Sequence, residues 1–260
     1  GDSERTVYAC MRDAAGNVSS LMSSTIVVDT TAPICSLVLS GTKVDGTSTS
    51  GSVGSRFITV TSSCDSGTVA MAIVPSSQSL SCGSTSYVSS NETMVIELDN
   101  SSGTKNVSAC FRDDIGNVTA LPVSAATPIV LDITPPQLPI LSGPAYVDTP
   151  QIEVQLSDLL DTAQIEWSWS ADFAVVQSFA PNSTIAATLA DASGSTSPSE
   201  GNYVLYLRYV DLAGNIGPTR SHPFVYDASA PSVLDATLGS GSGFLTNNAS
   251  VSLELNCIDN

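Results

Sequence analysis

The 260-residue sequence predicts an all-β fold of tandem antiparallel sandwiches, and three observations carry that prediction. One phrase occurs three times, as Asp13-Ala14-Ala15-Gly16-Asn17, Asp113-Asp114-Ile115-Gly116-Asn117 and Asp211-Leu212-Ala213-Gly214-Asn215. A second phrase trails each copy: Val28-Asp29-Thr30-Thr31-Ala32-Pro33, Leu131-Asp132-Ile133-Thr134-Pro135-Pro136 and Tyr226-Asp227-Ala228-Ser229-Ala230-Pro231. From 13 to 113 to 211 the opening aspartates stand 100 and 98 residues apart, and from 29 to 132 to 227 the closing ones stand 103 and 95 apart. A period of roughly a hundred residues is too long for a solenoid unit and fits one small sandwich domain. The second observation is short runs of period-two alternation set between Gly, Ser, Asn and Pro turns. The third is the lack of helical periodicity of useful length.

The elements follow in order. Residues 1–30 hold only the closing strands of a repeat, 31–133 and 134–229 are complete repeats, and 230–260 hold only the opening strands. Such ends are expected of a piece excised from a longer polypeptide; the alternative is that a neighbouring molecule completes them by strand addition. Within 31–133, strands are expected near 35–39, 57–63, 69–74, 94–98, 106–112 and 118–131. Within 134–229, Ile152-Glu153-Val154-Gln155-Leu156 alternates as a half-buried strand does. A strand over 165–169 puts Ile165, Trp167 and Trp169 on one face, and 184–189 is a third. Over 203–210, Tyr203, Leu205, Leu207 and Tyr209 share a face, and a last strand runs from about 220 to 226. The incoming end over 251–257 repeats the opening of 58–64. A bead of this size can bury an ordinary core and fold alone. The linkers near 30–33, 133–136 and 228–231 are short and proline-bearing, hence stiff, and predict an elongated array.

Charge narrows the function. Eight Lys+Arg against 25 Asp+Glu give a net charge of −17. That balance argues against nucleic acid and anionic membrane surfaces as partners, since both demand basic patches. It leaves carboxylates available for divalent cations. No stretch resembles a signal peptide, and none approaches the roughly 20 apolar residues a membrane span needs. Seven Asn-x-Ser/Thr sequons, at Asn17, Asn91, Asn100, Asn106, Asn117, Asn182 and Asn248, are compatible with surface glycosylation.

Six cysteines stand at 10, 35, 64, 82, 110 and 257, with no CxxC pair, and His222 is the single histidine, which removes Cys/His zinc patterns. Four fall in one repeat and none in the next complete one, as expected of optional disulfides in an oxidising, extracellular compartment. Aligned on the turn aspartate, Cys10 and Cys110 occupy the place of Arg208, on the outer face opposite Leu207 and Tyr209. Cys82 is the best-placed partner for Cys110, leaving Cys35 with Cys64 at adjoining strand ends. The other two pairings stay open. Cys257 aligns with Cys64, but Val233 stands where Cys35 would be.

The Asp-x-x-Gly-Asn phrase has a turn reading that explains all five positions. Asp accepts backbone N–H groups, Gly takes φ > 0, and Asn tolerates the left-handed region. A sharper reading adds Ca2+, which wants six to eight oxygens. The candidate ligand sets are Asp13 and Asn17 with Asp29, Asp113 and Asn117 with Asp132, and Asp211 and Asn215 with Asp227. Other constellations are weaker. Trp167 and Trp169, two apart on a strand, fit a core better than a sugar-stacking platform. His222 lacks the context of a catalytic triad, and there is no Gly-rich phosphate loop. Asp158 and Asp161 read as a solvated loop.

Tyr203-Val204-Leu205-Tyr206-Leu207-Arg208-Tyr209-Val210 leading into Asp211 to Asn215, with Val28 to Pro33 as the linker, resembles the end of bacterial immunoglobulin-like repeats. Such repeats occur in large surface adhesins and other extracellular proteins. The resemblance covers essentially the whole chain. It implies Ig-like sandwiches, and Ca2+ at the linker aspartates Asp29, Asp132 and Asp227. The chain departs from the pattern in its disulfide-candidate cysteines and in Ile133 and Ala228, which replace the first Thr of the linker. The function expected is a non-catalytic stalk or spacer of a large extracellular adhesin or surface filament. The alternatives are a glycan- or protein-binding module and accessory repeats of a secreted enzyme. Expected partners are neighbouring repeats, further copies in a fibre, and a host-cell or prey-surface ligand reached through a part outside this chain.

Overall fold

The computed structural model describes residues 2–189, 198–238, 250 and 252–259, and among them all regular structure is β. Two compact units emerge: residues 1–134 together with 212–215, and 135–211 together with 216–260.

The first unit opens with an antiparallel ribbon of β1 (Ser3–Ala9) and β2 (Met22–Val28). There follow β3 (Cys35–Thr42), β4 (Ser48–Thr49), β5 (Ser52–Val53), β6 (Phe57–Cys64), β7 (Thr68–Pro75), β8 (Val88–Ser89), β9 (Thr93–Glu97), β10 (Gly103–Lys105), β11 (Val107–Asp113), β12 (Val123–Ser124) and β13 (Ile129–Leu131). The sheets are ordered β4-β3-β6-β9, β12-β11-β7-β8 and β10-β13-β5. Strand alternation supplies the core. Leu37 and Leu39 of β3 and Ile58 and Val60 of β6 pack against Val107, Ala109 and Phe111 of β11, joined by Met71, Ile129 and Leu131. Phe111 is fully buried, and truncating such a side chain costs about 3–5 kcal/mol.

The single strand expected over 118–131 is broken in two. β12 pairs with β11, whereas β13 pairs with β10 and runs parallel to β5. Pro122 immediately precedes β12 and Pro128 immediately precedes β13. Neither can donate to a ladder, so pairing with β11 stops and the chain crosses to another sheet.

The second unit contains β14 (Ile140–Ser142), β15 (Tyr146–Val147), β16 (Gln151–Ser157), β17 (Gln164–Ser168), β18 (Gln177–Phe179), β19 (Thr184–Thr188), β20 (Gly201–Val210), β21 (Arg220–Tyr226), β22 (Ser232–Leu238) and β23 (Leu253–Ile258). Its sheets are β14-β16-β19 and β15-β21-β20-β17-β18, with β22-β23 as a separate ribbon. Ile152, Val154 and Leu156 of β16 face Ile165 and Trp167 of β17 and Leu205, Leu207 and Tyr209 of β20. The buried Tyr209 hydroxyl donates to the Ser157 carbonyl at 3.2 Å, which satisfies its polar end. Trp169 packs edge-on against Trp167, with ring centroids 5.3 Å apart, on the same core. The tryptophan pair is core. Val233 stands opposite Cys257 in the β22–β23 register, as Cys35 stands opposite Cys64 in β3–β6. Val251 and the Asn248 sequon lie outside the described residues.

Candidate functional site

The repeated phrases are built from backbone hydrogen bonds. Asp113 sits where β11 ends. Its Oδ1 accepts the N–H groups of Ile115, Gly116 and Asn117 at 3.1, 2.7 and 2.8 Å, and its Oδ2 accepts the Asn117 amide at 2.8 Å. Gly116 takes φ 106, a conformation that a Cβ disfavours. Burial alone would raise the Asp113 carboxyl, but the donors from Asn117, Gly116 and Ile115 together hold it below the ordinary carboxylate range. In the first copy Asn17 offers the same two donors to Asp13, at 2.8 and 2.9 Å, and lowers that carboxyl too. In the third copy Asp211 and Asn215 are both buried and Gly214 takes φ 85.

The linker aspartates share a second geometry. Oδ1 of Asp29, Asp132 and Asp227 accepts the N–H two residues on, from Thr31, Thr134 and Ser229, at 3.0, 3.0 and 3.2 Å. This is an Asx turn, which bends the chain away from the strand it leaves. The aspartate's own N–H is held as well. Asp132 donates to Val53 at 2.9 Å, and Asp227 donates to Val147 at 3.0 Å, each on a parallel strand.

The next peptide N–H in each linker is captured by a side chain that sequence reading did not single out. Thr30 donates to Asp2 Oδ1 at 2.7 Å, Ile133 to Ser102 Oγ at 3.2 Å, and Ala228 to Glu200 Oε1 at 2.8 Å. These acceptors, at 2, 102 and 200, keep the spacing of the turn aspartates while changing residue type. Spacing was the only signal that could have found them.

The hydrogen bonds group turns and linkers differently from the candidate cation sets. Those sets join each turn to the linker aspartate that follows it. Instead, the Asn117 amide donates to the carbonyl of Asp29 at 3.3 Å, and the Asn215 amide donates to the carbonyl of Asp132 at 2.8 Å; all four residues belong to the first unit. After a hairpin turn the chain runs back along the sheet, so the following linker leaves from the opposite end. Asp29 therefore belongs with Asp113 and Asn117, and Asp132 with Asn215. No turn meets Asp227 among the described residues. In the second unit, Asp161 and Asp211 bring carboxylate oxygens within 4.8 Å of each other. Asp161, expected in a solvated loop, is exposed with φ 61, and the neighbouring Thr162 hydroxyl is buried without a hydrogen-bond partner.

Two disulfides join Cys35 to Cys64 and Cys82 to Cys110. The first links register partners of β3 and β6. The second ties the irregular segment between β7 and β8 to β11. Cys110 faces away from the core, yet it is fully buried because the Cys82 segment covers it. Tyr87 donates its hydroxyl to the Cys82 carbonyl at 2.8 Å and lies 5.0 Å beneath the Arg112 guanidinium. At the aligned position of the second unit, Arg208 pairs with Glu166 at 2.7 Å and stands 4.0 Å over the Phe173 ring. Cys10 and Cys257 are exposed free thiols. His222 hydrogen-bonds the Pro144 carbonyl at 3.0 Å and stacks on Phe224.

No protein-family model matches the chain, and no curated protein sequence matches it. Solved structures give slight likenesses. The FN1–FN3 domains of chicken CNTN1 are 13% identical, with 84% of this chain and 76% of that one covered and a TM-score of 0.41. A 1.5-MDa bacterial ice-binding adhesin is 13% identical over 81% of this chain and 70% of that one, at TM-score 0.38. A Ca2+-stabilised adhesin from an Antarctic bacterium, described as binding ice, is 11% identical over 91% of this chain and 59% of that one, at TM-score 0.37.

Proposed function

We propose that this chain is a non-catalytic stalk or spacer segment of a large extracellular surface protein, an adhesin or surface filament, whose beads are held in line by their linkers. One observation carries the reading: in all three linkers the same two backbone N–H groups are held by side-chain oxygens, one by the linker aspartate's own Asx turn and one by Asp2, Ser102 or Glu200. A flexible tether would have no use for three copies of that arrangement. Two disulfides in one bead fit an oxidising compartment.

The same reading includes structural Ca2+ at repeat junctions. Two carboxylates, those of Asp161 and Asp211, have oxygens within 4.8 Å of each other, and the residue after Asp161 carries a buried hydroxyl with no hydrogen-bond partner. Carboxylates so placed offer oxygens to a hard cation. The second carboxylate oxygens of Asp29, Asp132 and Asp227 have no hydrogen bond among the described residues and suit the same role. Both oxygens of Asp13 and of Asp113 accept turn donors, and Oδ2 of each keeps a lone pair that a cation could share. An ion there would neutralise carboxylates that otherwise repel each other.

Small-angle scattering in calcium and then in excess chelator tests both parts. An extended profile that becomes compact or heterogeneous on chelation supports ion-clamped linkers. An extended profile indifferent to chelation removes the calcium and leaves the hydrogen bonds. A compact profile in both conditions removes the stalk.

A further inference from the structure

We propose that the residue eleven positions before each turn aspartate is a linker latch, graded by its chemistry: Asp2 and Glu200 hold firmly and Ser102 holds loosely. The inference rests on the stalk reading and names the side chains that would fix each linker.

The position is equivalent in all three copies, and so is its partner, the N–H of the residue after the linker aspartate. A hydroxyl one residue further on always joins it. Thr30 and Thr31 both donate their hydroxyls to Asp2, and Ser229 donates to both oxygens of Glu200, at 2.8 and 2.9 Å. Ser102 offers one oxygen, with longer contacts: 3.2 Å to the Thr134 hydroxyl and 3.4 Å to Asp132 Oδ1. Hydrogen bonds to an ionised acceptor are shorter and roughly twice as strong as neutral ones. In two of the three copies a glycine shapes the backbone just after the contact, whereas Ser3 follows Asp2. Gly103 and Gly201 follow the latch residue at φ 136 and 146, although a Cβ at either would meet nothing within 4 Å. Glycine there serves the backbone angle and not the space, and that angle starts the strand just after the latch side chain.

Amide exchange on the whole chain, in chelator and again in calcium, tests the latch. Glu200→Ala should accelerate exchange of the Ala228 amide by roughly ten- to a hundredfold, the loss expected for a hydrogen bond to a charged acceptor, and leave Ile133 unchanged. Ser102→Asp should slow the Ile133 amide by roughly three- to tenfold, a gain that misfolding cannot imitate. Unchanged exchange in both variants overturns the latch. Acceleration confined to the calcium sample also overturns it, since Glu200 would then be a cation ligand. Faster exchange in chelator with an unaltered scattering profile would uphold the latch while counting against linker stiffness as the basis of a stalk.

Discussion

Removing the Cys82–Cys110 disulfide as the pair Cys82→Ala and Cys110→Ala is the sharpest test of how the first complete bead is stabilised. The bond closes a segment of 28 residues, for which the loss of chain entropy in the unfolded state gives about 3.5 kcal/mol at 25 °C. The Cys35–Cys64 bond spans 29 residues, so chain entropy alone assigns the two nearly equal weight. Their settings differ. Cys35 and Cys64 are already register partners in a ladder, whereas Cys82 lies in irregular chain whose other anchors are the Tyr87 hydroxyl and a weak contact of the Thr119 hydroxyl with Cys82 Sγ at 3.4 Å. Both variants should therefore lose comparable global stability. Only the Cys82/Cys110 variant should also lose amide protection between β7 and β8. Exchange of core amides such as Phe111 reports the first unit, and Leu207 in the same sample serves as control for the second. A loss under about 1 kcal/mol with the segment still protected would refute the staple.

Two further outcomes follow from side-chain contacts. Arg208→Ala breaks a partly exposed ion pair and a cation–π contact, so it should cost the second unit about 1–2 kcal/mol by denaturant unfolding, clearly less than the disulfide costs the first; a loss as large as the disulfide's would mean that the ion pair acts as if fully buried. Asp2 is held from its ordinary 3.8 down to about 2, first by the Thr31 hydroxyl and then by the Thr30 hydroxyl and N–H. A carboxyl lowered on folding stabilises fully above its unfolded value and loses that contribution as pH falls through the folded one. The Thr30 amide resonance should thus titrate near pH 2; titration near pH 4 would show that the contact does not persist in solution.

Much of this fold could be read from the chain because its signals are local. Alternation in Ile152 to Leu156 and in Tyr203 to Tyr209 depends only on which face is buried, and both runs bury the expected side chains. The turn phrases were legible for the same reason, since Asp, Gly and Asn act on their own backbone within five residues. What was missed is non-local. The 118–131 segment reads as one strand until Pro122 and Pro128 force it between sheets. Which linker meets which turn depends on strand direction, and the order of the phrases along the chain suggests a different partner. Asp2, Ser102 and Glu200 share a task without sharing a residue type, so no motif marks them.

That pattern of sameness and change between copies has a physical basis. The turn fixes residue identity most tightly, because one side chain must satisfy several N–H groups at set distances and a left-handed residue must follow. The latch needs only an oxygen within reach of one N–H, which Asp, Ser and Glu all supply. The staple is the loosest of the three. At position 110 it is a covalent bond to Cys82, and at the aligned position 208 it is an ion pair with Glu166 under an aromatic ring. Either one fastens a segment to the outer face of the strand that enters the turn. The staple therefore varies in chemistry from bead to bead, while the backbone geometry at turn and linker stays the same. The strictest chemical requirements thus fall on the turns and linkers, and the loosest on the contacts of the outer face.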